Sequence, residues 1–310
     1  MLKKTIEIAT PGTRLSVSHR QLVIDRPDKP KVNVPIEDIG VLVVDDGRAS
    51  YTQAVFIACL AAGATVIVSG RDHLPIGMML PMEGHHALTE RHWAQTQAGA
   101  PLRKRLWQAL VSAKIRQQGR LLAQVKGEDW GLSALAGRVR SGDPGNLEAQ
   151  AAQRYWPCLF SRDFRRDREA DGINALLNYG YAVIRAACAR SLVASGLIPS
   201  LGVWHRNRAN PFCLADDLME PWRPIVDWKV HRLCQIDAAA PELGDRQTRA
   251  ALLSLFNETV LVGGKGWPLL LGIQQSAASL AKAIVQNDRK ALMVPESLPL
   301  QAGLVGDGEG

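Results

Sequence analysis

The chain is poor in cysteine, and the cysteines it has form no pattern. Cys59, Cys158, Cys188, Cys213 and Cys234 are scattered, odd in number and include no C-x-x-C pair. That argues against a disulfide-framed fold and a thiolate zinc site, and for a reducing cytoplasm. Long apolar runs are missing too. No stretch reaches the ~18 unbroken apolar residues of a membrane span, and the opening MLKKTIEIATPGTR lacks the apolar core of a signal peptide. No membrane partner is expected. There is no internal repeat. Acidic residues are absent from 91–127, which holds eight basic residues, and lysine is absent from 138–190, which holds nine arginines. A solvated helix face usually mixes signs. One-signed, arginine-rich stretches instead suit a polyanion, because the planar guanidinium matches phosphate oxygens two at a time.

What is present is the profile of a globular protein. The 310 residues are 46% hydrophobic and 22% charged, with net charge +7. At roughly 150 residues per domain, two domains are expected. Residues 1–80 hold nine Lys/Arg against eight Asp/Glu and are nearly neutral, so the positive charge lies beyond them.

Alternating or β-branched runs predict short strands at 5–8, 14–17, 21–24, 32–34, 40–44 and 64–69, with a hairpin turn at 18–20 and a turn at Asp45-Asp46-Gly47. One apolar helix is expected over 52–62. The stretch 74–90 holds two prolines and two glycines and breaks both periodicities, which predicts a linker. Its adjacent His85 and His86 are read as solvated. Beyond it the period becomes helical. Leu102, Leu106 and Leu110, then Leu121, Leu122 and Val125, predict an amphipathic helix or pair carrying Arg103, Lys104, Arg105, Lys114, Arg116 and Arg120. Asp143-Pro144 reads as an N-cap and first helical position. Further helices are expected over 171–194, 212–220, 246–257 and 268–287, and a disordered tail over 301–310. The fold class is therefore α+β: a small N-terminal mainly β domain (1–80), a linker, and a larger all-α domain (81–310).

The stretch "HRNRANPFCLADDLMEPWRP", 205–224, gathers one histidine, three carboxylates and three arginines. Asp217 and Glu220 are three apart, which on a helix puts both carboxylates on one face, where they repel unless a cation lies between them. Asp216 is expected to face solvent or cap the helix. Oxygen ligands select Mg²⁺, Mn²⁺ or Ca²⁺, and an imidazole from His205 tilts the choice toward Mn²⁺ while permitting Mg²⁺. Glu148, among small residues in LEAQAAQ, is the candidate third ligand; the plainer reading is helix-dipole stabilisation, worth ~0.3–1 kcal/mol. Arg206, Arg208 and Arg223 suit a phosphodiester held against the metal.

These residues carry a resemblance. "NALLNYGYAVIRAACARSLVASGLIPSLGVWHRNRANPFCLADDLMEPWRPIVD", 174–227, closely resembles the CRISPR-associated endonuclease/integrase family Cas-one. The family pattern runs Asn-x-x-Leu-Asn-x-Gly-Tyr, Gly-Leu-x-Pro-x-Leu-Gly-x-x-His, then Asn-x-Phe-x-Leu-Ala-x-Asp-Leu-Met-Glu-x-x-Arg-Pro. Upstream, EAQAAQRYW is similar to its Glu-x-x-Ala-Ala-x-x-Tyr-Trp segment. The resemblance implies that Glu148, His205 and Glu220 are catalytic and bind Mg²⁺ or Mn²⁺, and that Asp217 is an additional acid near the metal. Many relatives end the ligand set with aspartate; Glu220 here matches the compact type II branch. The resemblance also implies the activity. The 3′-hydroxyl of a short invader fragment of double-stranded DNA attacks the CRISPR repeat beside the leader, with no ATP needed. It implies a homodimer formed largely through the β domain, and two such dimers flanking a dimer of the small second Cas protein (Cas-two) in a heterohexamer. Arg103, Lys104, Arg105, Arg206, Arg208 and Arg223 are the candidate DNA contacts. Two other readings compete: a metal-dependent nuclease using water on branched or single-stranded DNA, and a non-catalytic DNA scaffold.

Overall fold

A computed structural model of the protein describes residues 3–82, 85–236 and 241–299. The first part is built from two four-stranded sheets. One has the order β1-β5-β7-β8, from Lys4–Ile8 (β1), Ile39–Val44 (β5), Thr65–Ser69 (β7) and Pro75–Met79 (β8). The other has the order β4-β3-β2-β6, from Val32–Pro35 (β4), Gln21–Asp25 (β3), Arg14–Ser18 (β2) and Ser50–Tyr51 (β6). The expected hairpin joins β2 to β3 with Ser18 opposite Gln21, and both loop residues, His19 and Arg20, take positive φ (48° and 60°). That is the backbone whose twist matches a two-residue β-hairpin. The α-helix expected there is Gln53–Ala61 (α1).

Strand β5 is buried along its whole length. Its alternate side chains serve two cores. Leu42 and Val44 pack with Leu15, Leu22, Val55 and Cys59, whereas Val41 and Val43, with Ile67 of β7, join the core of the helical part. A strand covered on both faces reads as a continuous apolar run, here IGVLVV.

The stretch expected to be a linker, 74–90, carries the edge strand β8 near one end and the start of helix Leu88–Gln97 (α2) at the other. Pro75 opens the edge strand, where a missing ladder donor costs least. His85 and His86 stack on each other, ring centroids 4.2 Å apart. The expected helix or pair is one helix of 27 residues, Ala100–Lys126 (α3), stopped at Gly127 with φ 88°. Leu132–Gly137 (α4), Leu147–Leu159 (α5) and Ile173–Ala194 (α6) follow. Cys213–Met219 (α7) runs through the tight turn Glu220–Trp222 into Arg223–Ile236 (α8). Gly180 lets α6 and α8 close on each other, since a Cβ there would lie 2.4 Å from Val226 Cγ1. Arg246–Leu253 (α9) and Leu269–Val285 (α10) are separated by a hairpin absent from the expectation, Thr259–Val262 (β9) against Lys265–Pro268 (β10). The expected disordered tail, 301–310, lies outside the described residues.

Candidate active site

The segment that carries His205 folds back on the start of α7. Gly202 makes this possible, because a Cβ at that position would stand 2.4 Å from the His205 carbonyl oxygen and 2.9 Å from Asp217 Oδ2. Asp217 is fully buried beneath the loop. Its carboxylate accepts backbone N–H groups from Val203 (2.7 Å), Trp204 (3.0 Å) and His205 (3.2 Å) and the His205 ring at Nδ1 (2.7 Å). The expectation that Asp217 and Glu220 share one metal-facing surface is therefore corrected. Asp217 sits behind His205 and positions it, fixing Nδ1 as the donor and leaving Nε2 as the nitrogen available to an ion. The hydrogen bond it donates to Asp217 pushes the His205 ring above its usual pKa, against the effect of burial. Trp107, buried on α3, meets the imidazole edge-on at 5.5 Å.

Glu220 lies one turn beyond Asp217 and is almost fully buried. Arg223 Nε donates to its Oε1 at 2.8 Å, and Lys114 Nζ is 2.5 Å from its Oε2. Burial works against the charge on Glu220, but Arg223 and Lys114 outweigh it and hold the carboxyl down at about 2. Glu148 stands in the first turn of α5, and its Oε1 is 2.6 Å from the same ammonium. Asp143 does cap α5, but from outside the helix: its carboxylate accepts the N–H groups of Leu147 (2.9 Å) and Glu148 (3.0 Å). Asp216, expected to face solvent or cap the helix, instead binds Arg185 through both oxygens (2.7 and 3.1 Å).

Glu148, His205 and Glu220 all line one cleft of about 690 Å³, together with Lys114, Arg166, Arg168, Arg185, Asp216, Arg223 and Asp227. Among the described residues no three His, Cys, Asp or Glu side chains close on a common ion-sized point. Two of the three expected ligands meet instead at the ammonium of Lys114. The donor set nonetheless fits a hard divalent ion: two carboxylates whose charges already converge on one cation, and an imidazole whose other nitrogen is held by a carboxylate.

Asp227 forms the floor, accepting the hydroxyls of Tyr155 (2.8 Å) and Tyr181. Burial pushes this carboxyl up to about 6, against both phenol hydrogen bonds and Arg223. Its folded pKa thus lies above the unfolded value of ~3.9. The folded protein keeps the proton between about pH 4 and 6, so this residue's stabilising contribution is lost as pH rises through that window, by up to ~3 kcal/mol. Asp227→Asn should therefore remove part of the wild-type decline in stability between those pH values, read by urea unfolding. An unchanged slope would show that Asp227 titrates normally.

Of the arginines expected at DNA, Arg223 is committed to Glu220 and stacks over the Tyr181 ring at 4.5 Å. Arg206 and Arg208 lie beyond His205 and share a second groove, of about 470 Å³, with Arg103. Lys104 packs its stem over Gly142, and Arg105 is exposed. Sequence reasoning missed Lys114, Arg166, Arg168, Arg185 and Asp227 as cleft residues. For Lys114 a signal existed: it falls on the four-residue row Leu102, Leu106, Leu110, Lys114, Gln118, Leu122, a charge on the inward face of α3.

The family model described as CRISPR associated protein Cas1 matches residues 6–255. The chain belongs to the Cas1 family. It is 36% identical over 295 residues to the CRISPR-associated endonuclease Cas1 of Neisseria meningitidis serogroup C (strain 8013), covering 94% of this chain and 95% of that one. Among solved structures its fold is similar to a casposase bound to integration product, with TM-score 0.76, 20% identity and coverage of 96% and 92%. It is also similar to part of a Cas6-RT-Cas1–Cas2 complex, with TM-score 0.72, 18% identity, and coverage of 94% of this chain and 36% of that longer one. At such identities the structural likeness speaks for the Cas1 fold. No helix among the described residues is long and apolar enough to cross a membrane.

Proposed function

We propose that this Cas1 protein is the integrase of CRISPR adaptation, joining the 3′-hydroxyl of a short DNA fragment to the repeat by transesterification. The observation that carries this reading is the single cleft that gathers Glu148, His205 and Glu220 with Arg166, Arg168 and Arg185 at its walls. The attacking oxygen bonds to phosphorus as the bond to the leaving 3′ oxygen breaks, so bonds balance and no nucleotide hydrolysis is needed. A Mg²⁺ or Mn²⁺ ion held by Glu148, Glu220 and His205 Nε2 would polarise the phosphate and stabilise the leaving oxygen. The chain's own residues supply the rest. Asp217 orients His205, and Arg168 is exposed to meet the incoming phosphodiester. A strand-transfer assay with the small second Cas protein and Mn²⁺ tests the reading: a labelled fragment should become joined to a plasmid carrying the repeat. Shortened DNA without joining would favour the hydrolytic nuclease, and metal-independent binding with no product would favour the scaffold.

The DNA surface is proposed to run from this cleft over the groove of Arg103, Arg206 and Arg208. Lys104 and Arg105 follow Arg103 at successive ~100° steps around the helix and face other directions. Replacing Arg103, Arg206 and Arg208 with alanine should weaken duplex binding alike for all sequences and lower the salt slope by about three. An unchanged slope would place the duplex elsewhere.

The assembly is proposed to be a homodimer held through residues 1–80, two such dimers flanking a dimer of the second Cas protein. The near-neutral β part supports this, as do its exposed apolar side chains, Ile57 on α1 (61% exposed) and Ile76 on β8 (73%). Pairing there costs little electrostatically. A variant with Ile57→Glu and Ile76→Glu should scatter light as a monomer where the wild type is dimeric. Dimerisation as tight as the wild type would move the interface off this surface.

A further inference from the structure

We infer that Lys114 is a built-in counter-cation that holds the Glu148–Glu220 pair together without metal and must leave it before a divalent ion can enter. The inference rests on the metal reading of the same cleft. Glu148 and Glu220 come from α5 and from the turn after α7, and their carboxylates meet at one Nζ, at 2.6 and 2.5 Å. An ammonium has three donors and no acceptor, so one lysine can serve both carboxylates at once. Lys114 itself is largely shielded from water by its position on the inward row of α3. Without it, the two acids would face each other with only Arg223 bound to one of them, in a place where an uncompensated charge is costly.

The ammonium and a divalent ion compete for the same oxygens, and both cannot be there together. Lysine is the residue type suited to yielding. Its charge is a compact point on a flexible four-carbon stem, whereas the Arg223 guanidinium beside it is held by Glu220 and by the Tyr181 ring. The cleft, lined next to Lys114 by Gln118 and Glu148, gives the displaced side chain room to swing. The cost of that displacement is set against every metal that binds, so the chain keeps its folded cleft when metal-free and binds metal more weakly than its ligands alone would.

Titration of the DNA-free protein with Mn²⁺ by calorimetry tests this, comparing wild type, Glu220→Gln and Lys114→Met. Methionine keeps the length of the lysine stem without its charge. Lys114→Met is expected to bind Mn²⁺ at least about tenfold tighter than wild type, within the range of neighbouring-group effects on metal sites. It should also melt at lower temperature when metal-free and recover on Mn²⁺ addition. Wild-type binding abolished by Glu220→Gln, but unchanged or weakened by Lys114→Met, would overturn the inference and leave the metal reading standing. Wild-type binding indifferent to Glu220→Gln would overturn the metal reading and the inference with it. Should Lys114→Met not fold, the wild type supplies the measurement. Mn²⁺ should raise amine acylation of Lys114 several-fold, read by mass spectrometry, and unchanged labelling would overturn the inference.

Discussion

Replacing His205 with alanine is expected to reduce strand transfer more than about a hundredfold while leaving the melting temperature close to wild type. The imidazole is partly exposed, and its loss leaves Asp217 with three backbone N–H donors still in place. Even changes to groups that merely support a metal ligand cost ~10–100-fold, so loss of a ligand should exceed that. Glu148→Ala should behave alike, because Lys114 keeps Glu220 as a partner. Glu220 is different. Its removal would leave Lys114 with Glu148 alone and Arg223 without its carboxylate in a buried site, and breaking such a pair costs roughly 3–5 kcal/mol. Glu220→Ala therefore confounds activity with folding, and Glu220→Gln is the cleaner variant. Near-normal strand transfer by folded His205→Ala would remove the histidine from the proposed ligand set.

Much of the architecture could be read in advance where periodicity is long or chemistry is local. The strands of the first sheets alternate or are β-branched, the hairpin at 18–20 is bounded by alternating runs, and α3 and α6 bury a stripe over many turns. What escaped is short or punctuated. Strand β8 carries Pro75 and Gly77, which read as breakers although an edge strand tolerates both. The β9–β10 hairpin has four-residue strands around Gly263-Gly264, too brief for a period to show. Helical spacing put Asp217 and Glu220 on one face correctly for a continuous helix. The helix tightens at Glu220, and Asp217 is claimed by the backbone of the His205 loop, a long-range demand that no local pattern reveals. The three expected ligands do share a cleft, since motif residues are drawn from elements that pack on α3. Lys114 is hidden from a local reading because it is one basic residue among several on α3, and only its place on the apolar row sets it apart.

Replacing Arg249 with methionine is expected to cost roughly 3–5 kcal/mol of stability, the scale for stranding buried carboxylates. Arg249, on α9, is 3% exposed and reaches back into the first sheet. Its guanidinium lies 3.2 Å from Glu7 Oε1 on β1 and 3.1 Å from Asp45 Oδ2 beyond β5, and donates to the carbonyls of Leu243 (2.7 Å) and Gly244 (3.0 Å). Asp45 also takes the ring of His73 at 2.8 Å, while burial pushes the Glu7 carboxyl up despite the arginine. Together with Val41, Val43 and Ile67, these contacts make the sheet and the helices share one interior. Urea unfolding of Arg249→Met decides the matter. If Glu7→Gln added to it restores part of the loss, the cost is that of an uncompensated buried acid, as argued. A single-variant cost below ~1 kcal/mol would mean that the carboxylates reach water without the arginine, in the range of an exposed pair.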